Sequence, residues 1–157
     1  MSKIPIAKAL LKKEEPYKTD VEMGHHTLIS DEPESNGGTD QGADPVRLTL
    51  GALASCTAMT LKMYINRKGW DFDDIQVDIY YQVERVRDPD EISADEKPYI
   101  VNGRIRKITK EIFIEGDFDD KQLKRLYHIS GKCPVNLMLK GNCIITDKVK
   151  TGVSLLK

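Results

Sequence analysis

The stretch DPVRLTLGALASCTAMTLKMYINRKGW, residues 44–70, decides the fold because it begins and ends with helix signals. Asp44 is a suitable N-cap, and Pro45 suits the first helical position because an N–H is not needed there. Gly69 follows two basic residues, a composition that commonly ends a helix. The stretch therefore predicts one helix of about 24 residues that begins at Pro45.

The middle of this helix is unusual because residues 48–61 carry no charge. A helix with one solvent-exposed face would carry charges at regular spacing, so the pattern predicts burial on most faces. A domain of 157 residues has difficulty surrounding such a helix alone. We therefore expect a second subunit to pack on it. The uncharged run is shorter than the roughly 20 residues that a membrane span requires.

Composition narrows the class of protein. Lys and Arg total 24 against 25 Asp and Glu, which gives no global attraction for nucleic acid or anionic membranes. The first residues lack the apolar core of a signal peptide, and three cysteines are an odd number for a secreted disulfide framework. These features predict a cytoplasmic protein with reduced thiols. The length suits a single domain over residues 1–157.

The segments on either side of the helix predict an α+β domain with helices on one side of an antiparallel sheet. Strands are indicated by apolar or alternating residues, loops by Gly, Pro, Asp, Asn and Ser, and short helices by apolar residues at helical spacing. The expected order is strands before residue 30 with a turn at Gly24, a loop at 30–44, strands at 74–84 and 104–116, helices at 118–130 and 134–141, and a closing strand at 142–149.

Two cysteines stand where a thiol could react. Cys133 directly precedes Pro134, which places it at the start of a helix, where free N–H groups and the helix dipole stabilise a thiolate. The alternative is a capping role in place of Ser or Asn. Cys56 lies mid-helix among small and hydroxyl-bearing residues, as either an inert core residue or a reactive thiol. Cys143 is expected in the core.

The segments 44–70 and 131–139 (GKCPVNLML) resemble the OsmC/Ohr family, the osmotically inducible protein C-like organic hydroperoxide reductases. The similarity includes the helix-opening Pro, the small residues before Cys56, the Cys-Pro-Val at Cys133, and the pattern DEP…GG…G in residues 31–42. It runs over nearly the whole chain. It implies antiparallel sheets wrapped around two central helices in an intertwined homodimer, with two active sites at the interface.

The same resemblance implies a thiol peroxidase that needs no cofactor and no metal. Cys56 would be the peroxidatic cysteine, which attacks an organic hydroperoxide and becomes a sulfenic acid. Cys133 would be the resolving cysteine of a redox-active disulfide, and a dithiol reductant would restore both thiols. The expected role is antioxidant, in oxidative stress. The expected partners are a second copy of the chain, the hydroperoxide and the reductant, with no nucleic acid and no membrane.

One feature of the family is missing. In the family, an N-terminal Arg activates the peroxidatic cysteine and a Glu near the start of the central helix holds that Arg. Here the first 46 residues contain no Arg. Arg47, Lys18 or a histidine could replace it, although Arg47 lies about 13 Å from Cys56 along the helix and is expected to be solvated. The departure supports an alternative function, a catalytically impaired OsmC-like stress protein acting as a small-molecule binding or structural dimer.

His25 and His26 suggest a metal site at first sight. Neighbouring side chains in a strand point to opposite faces, so both are not expected to bind one ion. No Cys or carboxylate accompanies them at ligand spacing. The sequence therefore predicts no metal site, and leaves the alternative that one histidine faces the subunit interface and assists Cys56.

Overall fold

The computed structural model describes residues 5–141 and 143–149. The described residues form two compact units: unit 1 runs to Gly51 and includes 143–149, and unit 2 runs from Ala52 to Gly141. The predicted α+β class with antiparallel sheets is confirmed. The elements are β1 (Ala7–Leu11), β2 (Thr19–Met23), β3 (His26–Ser30), α1 (Pro45–Lys68), β4 (Ile75–Arg85), β5 (Arg104–Ile114), α2 (Asp120–Ser130) and α3 (Pro134–Leu139).

Unit 1 is built on an antiparallel sheet in the order β1-β2-β3. The predicted turn at Gly24 joins β2 to β3, and Gly24 has a φ of +63°, which glycine adopts without strain. The loop after β3 closes around the buried carboxylate of Asp31. That carboxylate accepts hydrogen bonds from the Thr39 hydroxyl at 2.6 Å and from the backbone N–H groups of Glu32, Thr39 and Gln41.

These bonds explain the DEP…GG…G pattern. The hydrogen bond from the Thr39 hydroxyl, helped by the backbone N–H groups, holds the pKa of Asp31 below its ordinary value against the opposing effect of burial. A Cβ at Gly38 would collide with the backbone of Glu32, and a Cβ at Gly42 with the Ile29 carbonyl. The two glycines are therefore required by close backbone approach, and this loop has a structural role.

Helix α1 has the predicted bounds. At its start, Asp44 Oδ1 accepts a hydrogen bond from the Arg47 N–H at 2.9 Å, which is the predicted capping interaction. At its end, Gly69 has a φ of +66° and donates to the Asn66 carbonyl, while Trp70 donates to the Ile65 carbonyl. This pair of bonds is a Schellman motif, so the helix stops where the glycine predicts.

The core of unit 2 forms where α1 packs against α2 and the β4–β5 hairpin. The hairpin is antiparallel, with Ile75 opposite Ile114. By length and composition alone α1 would suffice to cross a membrane. Its Leu61 and Ile65 are fully buried in the core of unit 2. The core residues are Leu61, Tyr64, Ile65 and Leu126, with Trp70, Phe72, Ile75, Ile112, Ile114, Phe118 and Ile129 packed around them.

Three expectations differ from the structure. Within this chain α1 is buried along one side only, and Met59 and Met63 on the other side are exposed. The second subunit that would cover them stays a prediction, as do the homodimer and the single domain. The predicted closing strand at 142–149 is wrong for its described part, because residues 143–149 do not form a strand, and residue 142 lies outside the described residues. Cys143 is exposed and does not lie in the core.

Candidate active site

Cys133 is the N-cap of α3, the position that Pro134 predicts. Its backbone is extended (φ −64°, ψ 141°), and its Sγ accepts a hydrogen bond from the Asn136 N–H at 3.3 Å. The side chain is fully buried. A sulfur that receives a backbone N–H from the first turn of a helix is in a suitable place to carry negative charge.

Helix α1 contacts this cysteine through Thr57, the residue that follows Cys56. The Thr57 hydroxyl lies 3.7 Å from Cys133 Sγ, and both side chains are fully buried. The same hydroxyl lies 2.8 Å from the Leu53 carbonyl, so it can donate there while it accepts from a Cys133 thiol, or turn its proton toward a Cys133 thiolate. The structure therefore brings the start of α3 against the turn of α1 that carries Cys56, which is itself half-buried.

A cation that the sequence reasoning missed lies beside this contact. Lys110, on β5, donates from Nζ to the Ser130 carbonyl at 2.9 Å and to Asn136 Oδ1 at 3.1 Å. Burial lowers the pKa of Lys110 below the ordinary lysine value, and the charge of Lys140 acts in the same direction. The charges of Cys133 and Cys56 act in the opposite direction. Both thiols therefore lie within electrostatic range of one ammonium group.

The sequence contained a signal for this lysine. Side chains on one face of a strand recur every second residue, so Lys110 shares a face with Ile108 and Ile112. In the hairpin it lies opposite Ile79, another residue of the apolar face. A charged residue in an otherwise apolar series is unusual, because removing a charge from water costs free energy that a local partner must offset.

Asn136 connects the lysine to the thiol. Its backbone N–H donates to Cys133 Sγ, and its side-chain oxygen accepts from Lys110. Its side-chain amide nitrogen also donates to the Gly131 carbonyl at 2.9 Å, which fixes the orientation of the amide. The side chain is 7% exposed. This buried asparagine therefore bonds both to the ammonium group of Lys110 and to the sulfur of Cys133, and so fixes their relative positions.

The cations that the sequence offered as replacements for the missing Arg are occupied elsewhere. Arg47 pairs with Asp44 at 3.0 Å, and its side chain is 68% exposed, which confirms the prediction of a solvated charge. Lys18 pairs with Glu15 at 2.9 Å, and that hydrogen bond raises the pKa of Lys18. Neither contact involves a thiol.

The two histidines lie at the β2–β3 turn in unit 1. The expectation that they point to opposite faces is wrong, because His25 belongs to the turn and not to a strand, and the two ring centroids lie 4.0 Å apart. Both residues are exposed. Among residues 5–141 and 143–149, no group of three or more His, Cys, Asp or Glu is arranged to hold a metal ion.

A groove of about 860 Å³ runs along β5 and α2 in unit 2. Most of its lining is aliphatic or aromatic, and Lys110 and Lys140 bring positive charge to it while Glu115 brings a negative charge. The groove also includes Asn136, so it adjoins the Cys133 contact. Its apolar lining is formed by Leu61, Ile108, Ile112, Phe113, Ile114, Leu123, Leu126 and Tyr127.

Comparisons with known proteins agree with this architecture. A family model described as OsmC-like protein matches residues 38–147. A search of curated proteins finds no match for the chain.

Solved structures share the fold at low sequence identity. A protein from Psychrobacter arcticus 273-4, named for osmotic stress and detoxification responses, is 18% identical with a TM-score of 0.66, and the match covers 88% of this chain and 90% of the other. An OsmC-like protein from Mycoplasma pneumoniae is 17% identical with a TM-score of 0.63, covering 90% of each chain. An organic hydroperoxide resistance protein from Legionella pneumophila is 17% identical with a TM-score of 0.60, covering 90% and 93%.

Proposed function

Because the chain belongs to the OsmC-like family, we propose that it is a cysteine-dependent peroxidase that reduces organic hydroperoxides. The observation that carries this proposal is the contact between Cys133 and the turn of α1 that holds Cys56, with Lys110 joined to Cys133 through Asn136. The fold is shared with a Legionella pneumophila protein named for organic hydroperoxide resistance. The chemistry suits a reducing compartment such as the cytosol, where dithiol reductants are available.

In the proposed first step, the Cys56 thiolate attacks one oxygen of the hydroperoxide. A sulfur–oxygen bond forms while the oxygen–oxygen bond breaks, and the leaving alkoxide takes a proton to become an alcohol. The sulfur loses two electrons and becomes a sulfenic acid, and the peroxide gains them. The half-buried position of Cys56 suits this step, because the thiol must meet a substrate from solution.

In the second step, Cys133 attacks the sulfenic sulfur. A disulfide forms, and the hydroxyl leaves with a proton as water. A dithiol reductant then exchanges with this disulfide, which returns both thiols and oxidises the reductant to its own disulfide. Full burial of Cys133 suits the resolving role, because its reaction partner is another residue of the protein.

The proposed assembly is a homodimer. The face of α1 opposite the core leaves Met59 63% exposed and Met63 73% exposed. Ser55 and Ala52 continue this exposed face one and two turns before Met59, without a charge. An apolar helical face of this kind is normally covered by another surface, and a second copy of the chain is the proposed partner.

The experiment is rapid mixing of the reduced protein with cumene hydroperoxide, followed by mass analysis of the peptides. We expect a Cys56–Cys133 disulfide in the wild type, and its loss in Cys56→Ser. In Cys133→Ser, Cys56 should accumulate as a sulfenic acid that dimedone traps, while the matched control Cys143→Ser should react like the wild type. Two thiols that stay reduced in excess hydroperoxide would overturn the proposal.

A small-molecule binding or structural dimer is the second candidate function. It is favoured by the absence of Arg from the first 46 residues and by the apolar groove of unit 2. It predicts saturable binding of an apolar fluorescent probe that Leu123→Glu, at an exposed position of the groove, abolishes, together with no thiol oxidation by hydroperoxide. Rapid disulfide formation would exclude it as the main function.

A further inference from the structure

Lys110 occupies a place in which a charged side chain lowers the stability of the folded protein. It lies on the apolar face of β5 and opposite Ile79, and its ammonium reaches the buried end of α2 and the first turn of α3. Its two acceptors, the Ser130 carbonyl and the Asn136 side chain, are neutral. The ion pairs of the described residues do not include Lys110. Its charge is therefore compensated by dipoles and not by a carboxylate.

The groups that face this ammonium differ in sign. Cys133 and Cys56 are the ionisable groups whose negative forms favour the charged lysine, and Lys140 is the one that disfavours it. The structure joins this ammonium to Cys133 Sγ through a single residue, Asn136, and Cys133 in turn contacts Thr57, the neighbour of Cys56. A nearby ammonium favours the charged form of a thiol.

We propose that Lys110 is the activating cation of the thiol site, a positioning residue that favours the thiolate forms of Cys133 and Cys56. This inference rests on the proposed peroxidase function, and it identifies the group that takes the place of the absent N-terminal Arg. Asn136 is the connecting element, since it accepts from Lys110 and donates to Cys133 Sγ. The cation is thereby supplied by β5 of unit 2 and not by the N-terminal region.

The test measures the thiolate directly. In a Cys143→Ser background, the thiolate absorbance is followed in the ultraviolet against pH for the wild type, Lys110→Gln and Lys110→Arg. We expect Lys110→Gln to lower the thiolate fraction at neutral pH by up to about tenfold, because a nearby opposite charge typically changes the pKa of an ionisable group by about one unit. Lys110→Arg keeps the charge and should retain most of the thiolate.

Lys107→Gln is the matched control. Lys107 lies on the same strand, but it pairs with Glu84 and Glu96 at the exposed side of the hairpin. Its removal should leave the thiolate titration unchanged. An unchanged titration in Lys110→Gln, or equal losses in Lys107→Gln and Lys110→Gln, would overturn the proposal.

A second measurement does not depend on the folding of a Lys110 variant. Trace acylation of lysine amines, read by peptide mass analysis, is compared between the wild type and Cys133→Ser. Removing the thiolate should disfavour the ammonium of Lys110, so its amine should acylate several-fold faster at pH values where the thiol ionises, while Lys107 serves as the internal reference. Equal acylation in the two proteins would contradict the inference.

These measurements use no peroxide, so the two proposals fail separately. If the thiols of the wild type stay reduced in hydroperoxide but Lys110→Gln loses thiolate, the peroxidase proposal is refuted and the proposed role of Lys110 is retained. A protein that forms the disulfide at the wild-type rate in Lys110→Gln, with an unchanged titration, would retain the peroxidase and refute the role of Lys110.

Discussion

Asp31 in unit 1 and Lys110 in unit 2 both carry a charge into the protein, but their surroundings differ. Asp31 is 2% exposed and accepts four hydrogen bonds from its own loop. These bonds hold its pKa below the ordinary carboxyl value, so the protein favours its charge. Lys110 donates to two neutral acceptors, and burial holds its pKa below the ordinary lysine value, so the protein disfavours its charge.

The two surroundings indicate which of the two charges contributes to the stability of the fold. A charge that the fold favours contributes to stability, and its partners are all used within one loop. A charge that the fold disfavours is costly to stability, and such groups are concentrated at functional sites. On this physical ground Asp31 has a structural role, and the contrast supports the proposed place of Lys110 in the thiol site.

The largest expected effect is the loss of the Asp31 carboxylate. Asp31→Ala leaves the N–H groups of Glu32, Thr39 and Gln41 without their acceptor. We expect the thermal unfolding midpoint to fall by about 5 to 10 °C, measured by circular dichroism. Glu34→Ala, an exposed acidic residue of the same loop, is the control and should change the midpoint by about 1 °C or less. Equal decreases of the midpoint in Asp31→Ala and Glu34→Ala would contradict a special structural role of the Asp31 carboxylate.

Protonation of the Asp31 carboxylate at low pH should also lower the stability, by less than the Asp31→Ala substitution. Because the folded pKa of Asp31 is lowered, its stabilising contribution is complete above the ordinary carboxyl value of 3.8 and is lost as the pH falls through the lower folded value. We expect the unfolding midpoint of the wild type to fall more steeply below about pH 4 than that of Asp31→Asn. Parallel curves for the two proteins would show that Asp31 does not titrate with unfolding.

The smallest expected effect on stability is that of Lys110. Because its folded pKa is lowered, the folded protein holds the proton less readily than the unfolded chain, so this group opposes folding at neutral pH. Lys110→Gln should change the unfolding midpoint by about 2 °C or less at pH 7. The wild type should gain stability relative to the variant as the pH rises toward the ordinary lysine value of 10.5. A fall in the unfolding midpoint as large as that of Asp31→Ala would show that Lys110 has a structural role.

Secondary-structure elements that depend on neighbouring residues could be predicted from the sequence. Asp44, Pro45 and Gly69 predicted both ends of α1, because caps act within one turn of the helix. Alternation over residues 75–84 predicted β4, and Pro134 predicted that Cys133 caps α3. The motifs around Cys56 and Cys133 were also sufficient to indicate the family, because the family pattern is written in segments of consecutive residues.

Which distant residues come into contact could not be predicted from local sequence patterns. The contact of Cys133 with Thr57 joins residues 76 positions apart, and Lys110 reaches Asn136 from 26 positions away. The approach of the two histidine rings also depended on where the β2–β3 turn ends, and the exposure of Cys143 on how whole elements pack. Such contacts follow from the packing of whole elements, and local propensity contains no information about them.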